Sequence, residues 1–384
     1  MKKTIRSRRG SSSLAVILCV LLSLVAIMIA ASAVLLVALS NDNNSAPGGN
    51  ENNSASNRDT NNNSRPAMSG GVQNNTSNNN GNNTSGGSSG GSSSPLYPTT
   101  PSRSNYVSAS DEGTAKLSNE IRSQSTILVE LDGYTALAEK NADARVYPAS
   151  MTKVMTLLVV CENITDISKQ LTVTQEMVDY RQSHDASGTN FAAGEAVTAK
   201  DFMYLVIYDS DTTACLALAQ HIAGSEEAFV DMMNRKAESL GLTNTHFANV
   251  TGLYDENHYT TCREMAAIMA YAMENEMART ILSSYEYYPV TSYNASSGEV
   301  QKEFGAWQDW YSGRFSDNPR LSKVTVKAGK TGYIDESGIS LVTYAESSDG
   351  KAYVNVIVGQ PKGGGVSAEI STSEVKYIYN NYVK

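Results

Sequence analysis

Cysteine is scarce in this chain of 384 residues, which contains four. Cys19 lies in an apolar run near the N-terminus, whereas Cys161, Cys215 and Cys262 lie in the apolar or small-residue surroundings typical of helices. An odd number of cysteines outside the apolar run argues against a disulfide framework. We therefore interpret these three as small, buried, apolar side chains.

Basic residues are also fewer than acidic ones. The chain has 30 lysines and arginines against 39 aspartates and glutamates, a net charge of −9. Because five of the basic residues precede residue 10, the rest of the chain carries about −14. A nucleic-acid-binding protein would present a basic face, so this composition argues against that class.

Histidine is rare as well. His221, His246 and His258 show none of the spacings typical of metal ligands, and we interpret them as structural. We expect neither a metal nor an organic cofactor.

Large apolar side chains are nearly absent from residues 40–105, where asparagine, serine and glycine dominate. Such a segment cannot bury enough apolar surface to offset the entropy of ordering it. We therefore predict a disordered linker between the N-terminus and the folded part.

The N-terminus combines a basic arm, residues 1–13, with an uncharged apolar run over residues 14–39. The run exceeds the roughly 20 residues that a helix needs to cross a bilayer, and a basic flank stays on the cytoplasmic side. We therefore predict a single-pass transmembrane anchor that places the folded part on the extracellular side of the cell membrane. A cleaved signal peptide is the competing interpretation, because "AASA" at residues 30–33 resembles a processing site, although the apolar region of such a peptide is about 7–15 residues long.

The composition is globular over residues 106–384, which we predict to form one catalytic domain. Apolar residues alternate at Ile127, Val129 and Leu131 ahead of a turn pair, Asp132-Gly133, and this pattern predicts a hairpin. A helical middle follows. Its helix starts are indicated by threonine with an acidic residue three positions later, at Thr198 and Thr261.

Strand patterns return late in the chain. Two or three antiparallel strands are predicted within residues 321–347 and 351–359, followed by a helix that begins with a capping box of Ser371 and Glu374. The order of the predicted elements, in which strands are followed by helices and then by further strands and a helix, indicates an α+β fold. In this fold the N- and C-terminal strands form one antiparallel sheet, with a mostly helical region inserted between them.

One short stretch, "YPASMTKVMTLL" at residues 147–158, places Ser150 and Lys153 in the first turn of a predicted helix. Residues three apart on a helix share a face, so the hydroxyl and the amine are expected within hydrogen-bond reach. A serine hydroxyl needs an adjacent base to act as a nucleophile, and a lysine kept neutral by burial and neighbouring cations can serve. The spacing alone is weak evidence, because it also occurs at Ser348 and Ser373.

Two further motifs follow in order: Ser210-Asp211-Thr212 between helical runs, and Lys330-Thr331-Gly332 in a strand-like segment. With "YPASMTKVMT", "THFANVTGLYDENHYTTCREM" and "GKTGYIDESG", the folded part resembles the serine D-alanyl-D-alanine carboxypeptidases, the low-molecular-mass penicillin-binding proteins. The resemblance implies a β-lactamase/transpeptidase-like fold and removal of the terminal D-alanine from peptidoglycan stem pentapeptides through an acyl-enzyme. It also implies β-lactams as covalent inhibitors.

The resemblance assigns the catalytic roles. Ser150 attacks the carbonyl between the two D-alanines, and Lys153 is its base. Ser210 relays the proton to the departing amine. Lys330 is the cation expected to lower the pKa of Lys153.

The same resemblance assigns the substrate-binding roles. Lys330 and Thr331 bind the terminal carboxylate, and Gly332 completes their motif. The backbone N–H groups of Ser150 and Tyr333 form an oxyanion hole.

One position departs from the pattern of the family. Its second motif usually ends in asparagine, whereas this chain has Thr212. A threonine hydroxyl is shorter than an amide, so contacts to the lysine and to the substrate are weakened or replaced by water. We expect altered substrate positioning with the same class of reaction.

Other functions remain open at this point. A β-lactamase on the same fold needs a means of rapid deacylation, typically a glutamate in an E-x-x-L-N stretch, and none follows the second motif. A non-catalytic penicillin-binding or wall-sensing module is favoured by Thr212. Purely structural interpretations would make Ser150 and Ser210 helix caps, Lys153 a solvated lysine and Lys330 an ordinary edge-strand lysine.

Overall fold

The computed structural model describes residues 94–306, 321–361 and 368–384. The helices in these residues are α1 (Lys153–Asn163), α2 (Gln175–Ser183), α3 (Ala199–Tyr208), α4 (Thr212–Ala223), α5 (Glu226–Ser239), α6 (Cys262–Ala272), α7 (Glu276–Ser283) and α8 (Ala368–Tyr382). The strands are β1 (Ala115–Lys116), β2 (Ser125–Glu130), β3 (Thr135–Lys140), β4 (Gln170–Thr172), β5 (Glu195–Thr198), β6 (Tyr288–Asn294), β7 (Val300–Ala306), β8 (Val324–Ile334), β9 (Gly338–Ser347) and β10 (Ala352–Gln360). A 3-10 turn, Ala149–Thr152, leads into α1.

A six-stranded sheet, in the order β1-β3-β2-β10-β9-β8, joins the two ends of the folded part. β2 and β3 form the predicted hairpin, and β10 lies antiparallel to β2 with Val356 opposite Ile127. The prediction that N- and C-terminal strands share a sheet is therefore confirmed. The sheet is not wholly antiparallel, because β1 pairs with β3 in parallel. The chain reverses direction between β1 and β2 and again between β2 and β3, which gives β1 and β3 the same direction.

Helices pack on both faces of this sheet. On β2, Ile127 and Val129 belong to the large apolar cluster that includes α1, α3 and α6, whereas Leu128 between them belongs to the cluster under α8. This alternation follows from the two-residue period of a strand. The sheet is therefore the middle of three layers.

The region between β3 and β8 is mostly helical, as predicted, and α1 is buried at its centre from Lys153 to Cys161. A second sheet in this region, β4-β5-β6-β7, is not predicted by the sequence. Its first two strands have only three and four residues. Such short segments show too little alternation to be distinguished from a loop.

Most helix starts follow local sequence signals. Thr198 caps α3 and Thr261 caps α6, each accepting a hydrogen bond from the backbone N–H three residues later. The predicted capping box at Ser371 and Glu374 is wrong, because α8 begins at Ala368. The Glu374 carboxylate instead accepts hydrogen bonds from backbone N–H groups just ahead of β2.

The linker prediction extends too far towards the C-terminus. Within residues 94–105, the Leu96 N–H donates to the Ile164 carbonyl at 2.9 Å. Asn275 Nδ2 donates to the Tyr97 carbonyl at 2.7 Å. These contacts depend on residues distant in sequence, so composition alone does not reveal them.

The predicted basic arm, the anchor over residues 14–39 and the linker up to residue 93 lie outside the described residues. Within the three described ranges, no helix combines the length and apolar character needed to span a membrane. Cys161, Cys215 and Cys262 are free and buried, as expected.

Candidate active site

The turn that carries Ser150 is closely surrounded by backbone. Ala149 precedes it with a φ of 49°, an unusual value for a residue other than glycine. A Cβ at Gly252 would lie 1.9 Å from the Ala149 carbonyl oxygen, and one at Gly332 would lie 3.2 Å from the Ser150 nitrogen. Two glycines therefore let a loop and strand β8 pack directly against the turn.

Lys153 begins α1 and is 2% exposed. Its Nζ lies 3.3 Å from Ser150 Oγ and donates a hydrogen bond to the Thr251 carbonyl oxygen at 2.7 Å. Burial lowers the pKa of Lys153, while the charges of Cys215 and Asp211 oppose this shift. The structure thus places the hydroxyl beside an amine whose pKa is lowered by burial, and Lys153 is not a solvated lysine.

The second motif spans the junction of α3 and α4. Ser210 has a φ of 52°, and its buried hydroxyl has no hydrogen-bond partner among the described residues. Asp211 caps α4 by accepting a hydrogen bond from the Ala214 N–H at 2.9 Å, so Ser210 is not the cap. Thr212, the first residue of α4, is buried and contributes to the lining of the cleft described below.

The third motif lies in β8, at the edge of the large sheet. Lys330 is 1% exposed, and its Nζ donates to the Thr331 carbonyl oxygen at 3.0 Å. Burial raises the pKa of Cys215 to about 12, and the charges of both Lys153 and Lys330 act against that shift. Burial is the largest cause of the lowered pKa of Lys153, and the predicted contribution of Lys330 to that shift stays a prediction.

A cleft of about 500 Å³ opens in front of the Ser150 turn. Four of the predicted site residues line it: Ser150, Lys153, Thr212 and Tyr333. The other four do not belong to its lining: Ser210, Lys330, Thr331 and Gly332. Gly332 lies behind the turn, where β8 approaches the backbone of the nucleophile.

Three further segments complete the cleft wall: residues 184–187, 251–254 and 334–336. The second segment lies within "THFANVTGLYDENHYTTCREM", a stretch that matches the family but received no functional role from the sequence. Its Gly252 is the residue that could have indicated a close backbone contact. The third directly follows the third motif. No sequence signal marks residues 184–187, because their position depends on contacts with the second motif.

The histidines include one that the sequence patterns do not single out, His184, which lines the cleft. His258 is buried, and its ring bonds to the Thr152 hydroxyl at 2.7 Å and to the Ala248 N–H at 3.1 Å, in keeping with a structural role. Burial lowers the pKa of His258 to about 3. In the part of the chain that the structure describes, no group of three or more His, Cys, Asp or Glu side chains is arranged to hold a metal.

The chain belongs to the D-alanyl-D-alanine carboxypeptidase family, whose sequence profile matches residues 111–362. D-alanyl-D-alanine carboxypeptidase DacF of Bacillus subtilis is 30% identical over 271 residues, which cover 70% of this chain and 64% of that protein. The DacA enzyme of Haemophilus influenzae is 28% identical over 266 residues, which cover 68% of this chain and 63% of that protein. The chain therefore spans less than two thirds of the length of these curated relatives. The family resemblance drawn from the motifs is confirmed.

Solved structures show a similar fold. A point mutant of the Streptomyces K15 DD-transpeptidase matches with a TM-score of 0.60 and 26% identity, covering 68% of this chain and 98% of that chain. Penicillin-binding protein 5 from Haemophilus influenzae matches with a TM-score of 0.57 and 27% identity, covering 68% of this chain and 70% of that chain. The mixed α/β fold is thus similar to that of penicillin-binding DD-peptidases.

Proposed function

We propose that this chain is a penicillin-sensitive serine D-alanyl-D-alanine carboxypeptidase that removes the terminal D-alanine from peptidoglycan stem pentapeptides. One observation carries the proposal: Ser150 Oγ lies 3.3 Å from the buried amine of Lys153, and both residues line an open cleft. Membership of the family adds the class of substrate.

Acylation begins when the neutral Lys153 amine accepts the Ser150 proton as Oγ attacks the carbonyl carbon between the two D-alanines. The resulting tetrahedral intermediate collapses with cleavage of the C–N bond. The departing amine takes up the proton through Ser210, and free D-alanine leaves. Water then attacks the ester, with Lys153 as base, and releases the shortened peptide and the Ser150 hydroxyl.

The oxyanion hole is formed by the backbone N–H groups of Ser150 and Tyr333. The close approach of Gly332 to the Ser150 nitrogen supports this assignment, because it brings β8 beside the turn. Each such donor contributes about 3–4 kcal/mol of transition-state stabilisation in comparable sites.

The terminal carboxylate binds to Lys330 and Thr331. Lys330 is buried in the same strand as Tyr333, which lines the cleft, and a charge removed from water interacts more strongly with a carboxylate. Thr212, where the family has asparagine, contacts the peptide from the cleft wall with a shorter side chain, and this alters the preferred acyl donor.

An N-terminal membrane anchor and a flexible linker place this activity at the outer face of the cell membrane. The apolar run over residues 14–39 and its basic flank support this part of the proposal. Extraction of the full chain from membranes tests it: release by carbonate or salt alone would contradict an anchor, and a shortened N-terminus in the mature chain would support the cleaved signal peptide.

Two assays on the full chain in detergent test the activity. A fluorescent penicillin reports acylation, and a D-Ala-D-Ala pentapeptide reports release of D-alanine. Labelling with release supports the carboxypeptidase. Labelling without release supports a non-catalytic binding module, and rapid turnover of the penicillin supports a β-lactamase.

A further inference from the structure

One wall of the cleft is attached to the second motif. Residues 184–187 and Thr212 all line the cleft. The Thr212 N–H donates to the Ser187 carbonyl oxygen at 3.0 Å, and the Thr189 N–H donates to Asp211 Oδ2 at 2.8 Å. The position of the wall is therefore set by the junction of α3 and α4.

Asp211 is the central residue of this attachment. Its side chain is fully buried, and its two oxygens bond to different elements. Oδ1 accepts from the Ala214 N–H in α4, and Oδ2 accepts from the Thr189 N–H in the loop. The loop is so close that a Cβ at Gly188 would lie 2.7 Å from Oδ1.

We propose that Asp211 is a positioning residue whose ionised carboxylate holds the loop over residues 184–190 in place as a wall of the substrate cleft. The catalytic consequence rests on the proposed function, since the wall affects turnover only if the cleft binds the acyl donor. The motif residue between Ser210 and Thr212 thus acts through the loop and not on the reacting atoms.

The protonation state of Asp211 determines whether both bonds can form. An ionised carboxylate accepts hydrogen bonds at both oxygens, whereas a protonated one has an O–H in place of one acceptor. A buried backbone N–H that loses its acceptor costs about 1–3 kcal/mol. Protonation therefore weakens the attachment of either the loop or the first turn of α4.

The surroundings of Asp211 set the pH at which this happens. Burial raises the pKa of Asp211 to about 6, the bonds from Ala214 and Thr189 lower it, and the charge of Asp209 raises it. The titratable groups that interact electrostatically with Asp211 include Asp209, Lys153 and Cys215. The loop that it holds also carries His184 and Asp185.

The sign of the pH effect follows. Above pH 6 the carboxylate is ionised and the loop is held, so the kcat/KM for the peptide falls as the pH decreases through about 6. Protonation of Lys153 acts in the same direction by removing the base. Variants are needed to separate the two groups.

Asp211→Asn retains the size of the side chain but leaves one acceptor oxygen and no charge. We expect KM for the pentapeptide to rise about tenfold at pH 7.5, with a smaller change in kcat. We also expect the acidic limb of the pH profile, the fall of kcat/KM near pH 6, to disappear. Asp209→Asn is the matched control, because it still accepts from the Thr189 hydroxyl, a bond of 3.0 Å in the wild type. Loss of the Asp209 charge lowers the pKa of Asp211, so in this variant the limb moves to lower pH.

Hydrogen exchange of the backbone amides gives a second readout that does not depend on activity. In Asp211→Asn we expect amides within residues 185–190 to exchange at least about tenfold faster than in the wild type, while those of α1 are unchanged. If the exchange changes but the wild type releases no D-alanine, the proposed function fails and the positioning role stands.

Unchanged exchange in residues 185–190, or a limb near pH 6 that persists in Asp211→Asn, would overturn the positioning role. If Asp211→Asn does not fold, the Asp209→Asn profile decides. If kcat/KM of Asp209→Asn falls at the same pH as that of the wild type, Asp211 is excluded as the group that titrates.

Discussion

The Thr251 carbonyl oxygen accepts a hydrogen bond from Lys153 Nζ at 2.7 Å, although the two residues are 98 positions apart. Ser150 Oγ lies 3.3 Å from the same nitrogen. A neutral amine has two N–H groups and one lone pair. When Lys153 is neutral, one N–H is directed to Thr251, and the lone pair is available for the Ser150 proton.

Ser150→Ala removes the acyl carrier and leaves the fold intact, because the hydroxyl is small and lies at the cleft. We expect loss of the penicillin adduct at position 150 and a fall in kcat of at least about 1,000-fold, as for other serine nucleophiles. Intact-protein mass spectrometry measures the adduct. An adduct of unchanged amount in this variant would show that another residue is the nucleophile.

Lys153→Arg replaces the base by a guanidinium that stays protonated. In the wild type, acylation rises with pH through the pKa of Lys153, which burial places below its ordinary value of 10.5. We expect this rise to disappear in Lys153→Arg, with a rate at least about 100-fold lower. Stopped-flow acylation by a fluorescent penicillin between pH 5 and 11 provides the profile. A wild-type rate that rises only above pH 10.5 would contradict a lowered pKa.

Gly252→Ala places a methyl group 1.9 Å from the Ala149 carbonyl oxygen and so displaces the nucleophile turn. We expect destabilisation of at least about 3 kcal/mol and loss of acylation. Gly241→Ala is the matched control: its φ of 75° is similar to the 86° of Gly252, but no atom lies within 4 Å of the added Cβ. It should cost only about 1–2 kcal/mol for the left-handed backbone and retain acylation. Equal losses in thermal unfolding of the two variants would exclude the steric explanation.

Thr212→Asn restores the amide typical of the family to the first residue of α4. We expect pentapeptide acylation to rise about tenfold, or by roughly 1.4 kcal/mol in transition-state free energy, because an amide reaches further and both donates and accepts. Thr212→Val, of similar shape but without the hydroxyl, shows whether the threonine itself takes part. Identical acylation rates in wild type and Thr212→Asn would remove any role for this departure from the family pattern.

The large sheet, several helix starts and the first pair of site residues follow from local signals, whereas the second sheet does not. The alternation ahead of Asp132-Gly133 predicts the hairpin, and Thr198 and Thr261 mark the helix starts that the structure contains. Local sequence signals fail where a contact with a distant segment determines the structure. Glu374, for example, accepts a hydrogen bond from the backbone ahead of β2 instead of capping its own helix.

By itself, the sequence determined that Ser150 and Lys153 lie on one helical turn and that three motifs occur in the order typical of a DD-carboxypeptidase. Only the tertiary structure decided that burial gives Lys153 its lowered pKa, that Thr251 fixes its amine, and that Asp211 attaches the wall over residues 184–187. The reason is physical: spacing on a helix is set by neighbours in sequence, whereas burial and hydrogen-bond partners are set by packing between segments far apart in the chain.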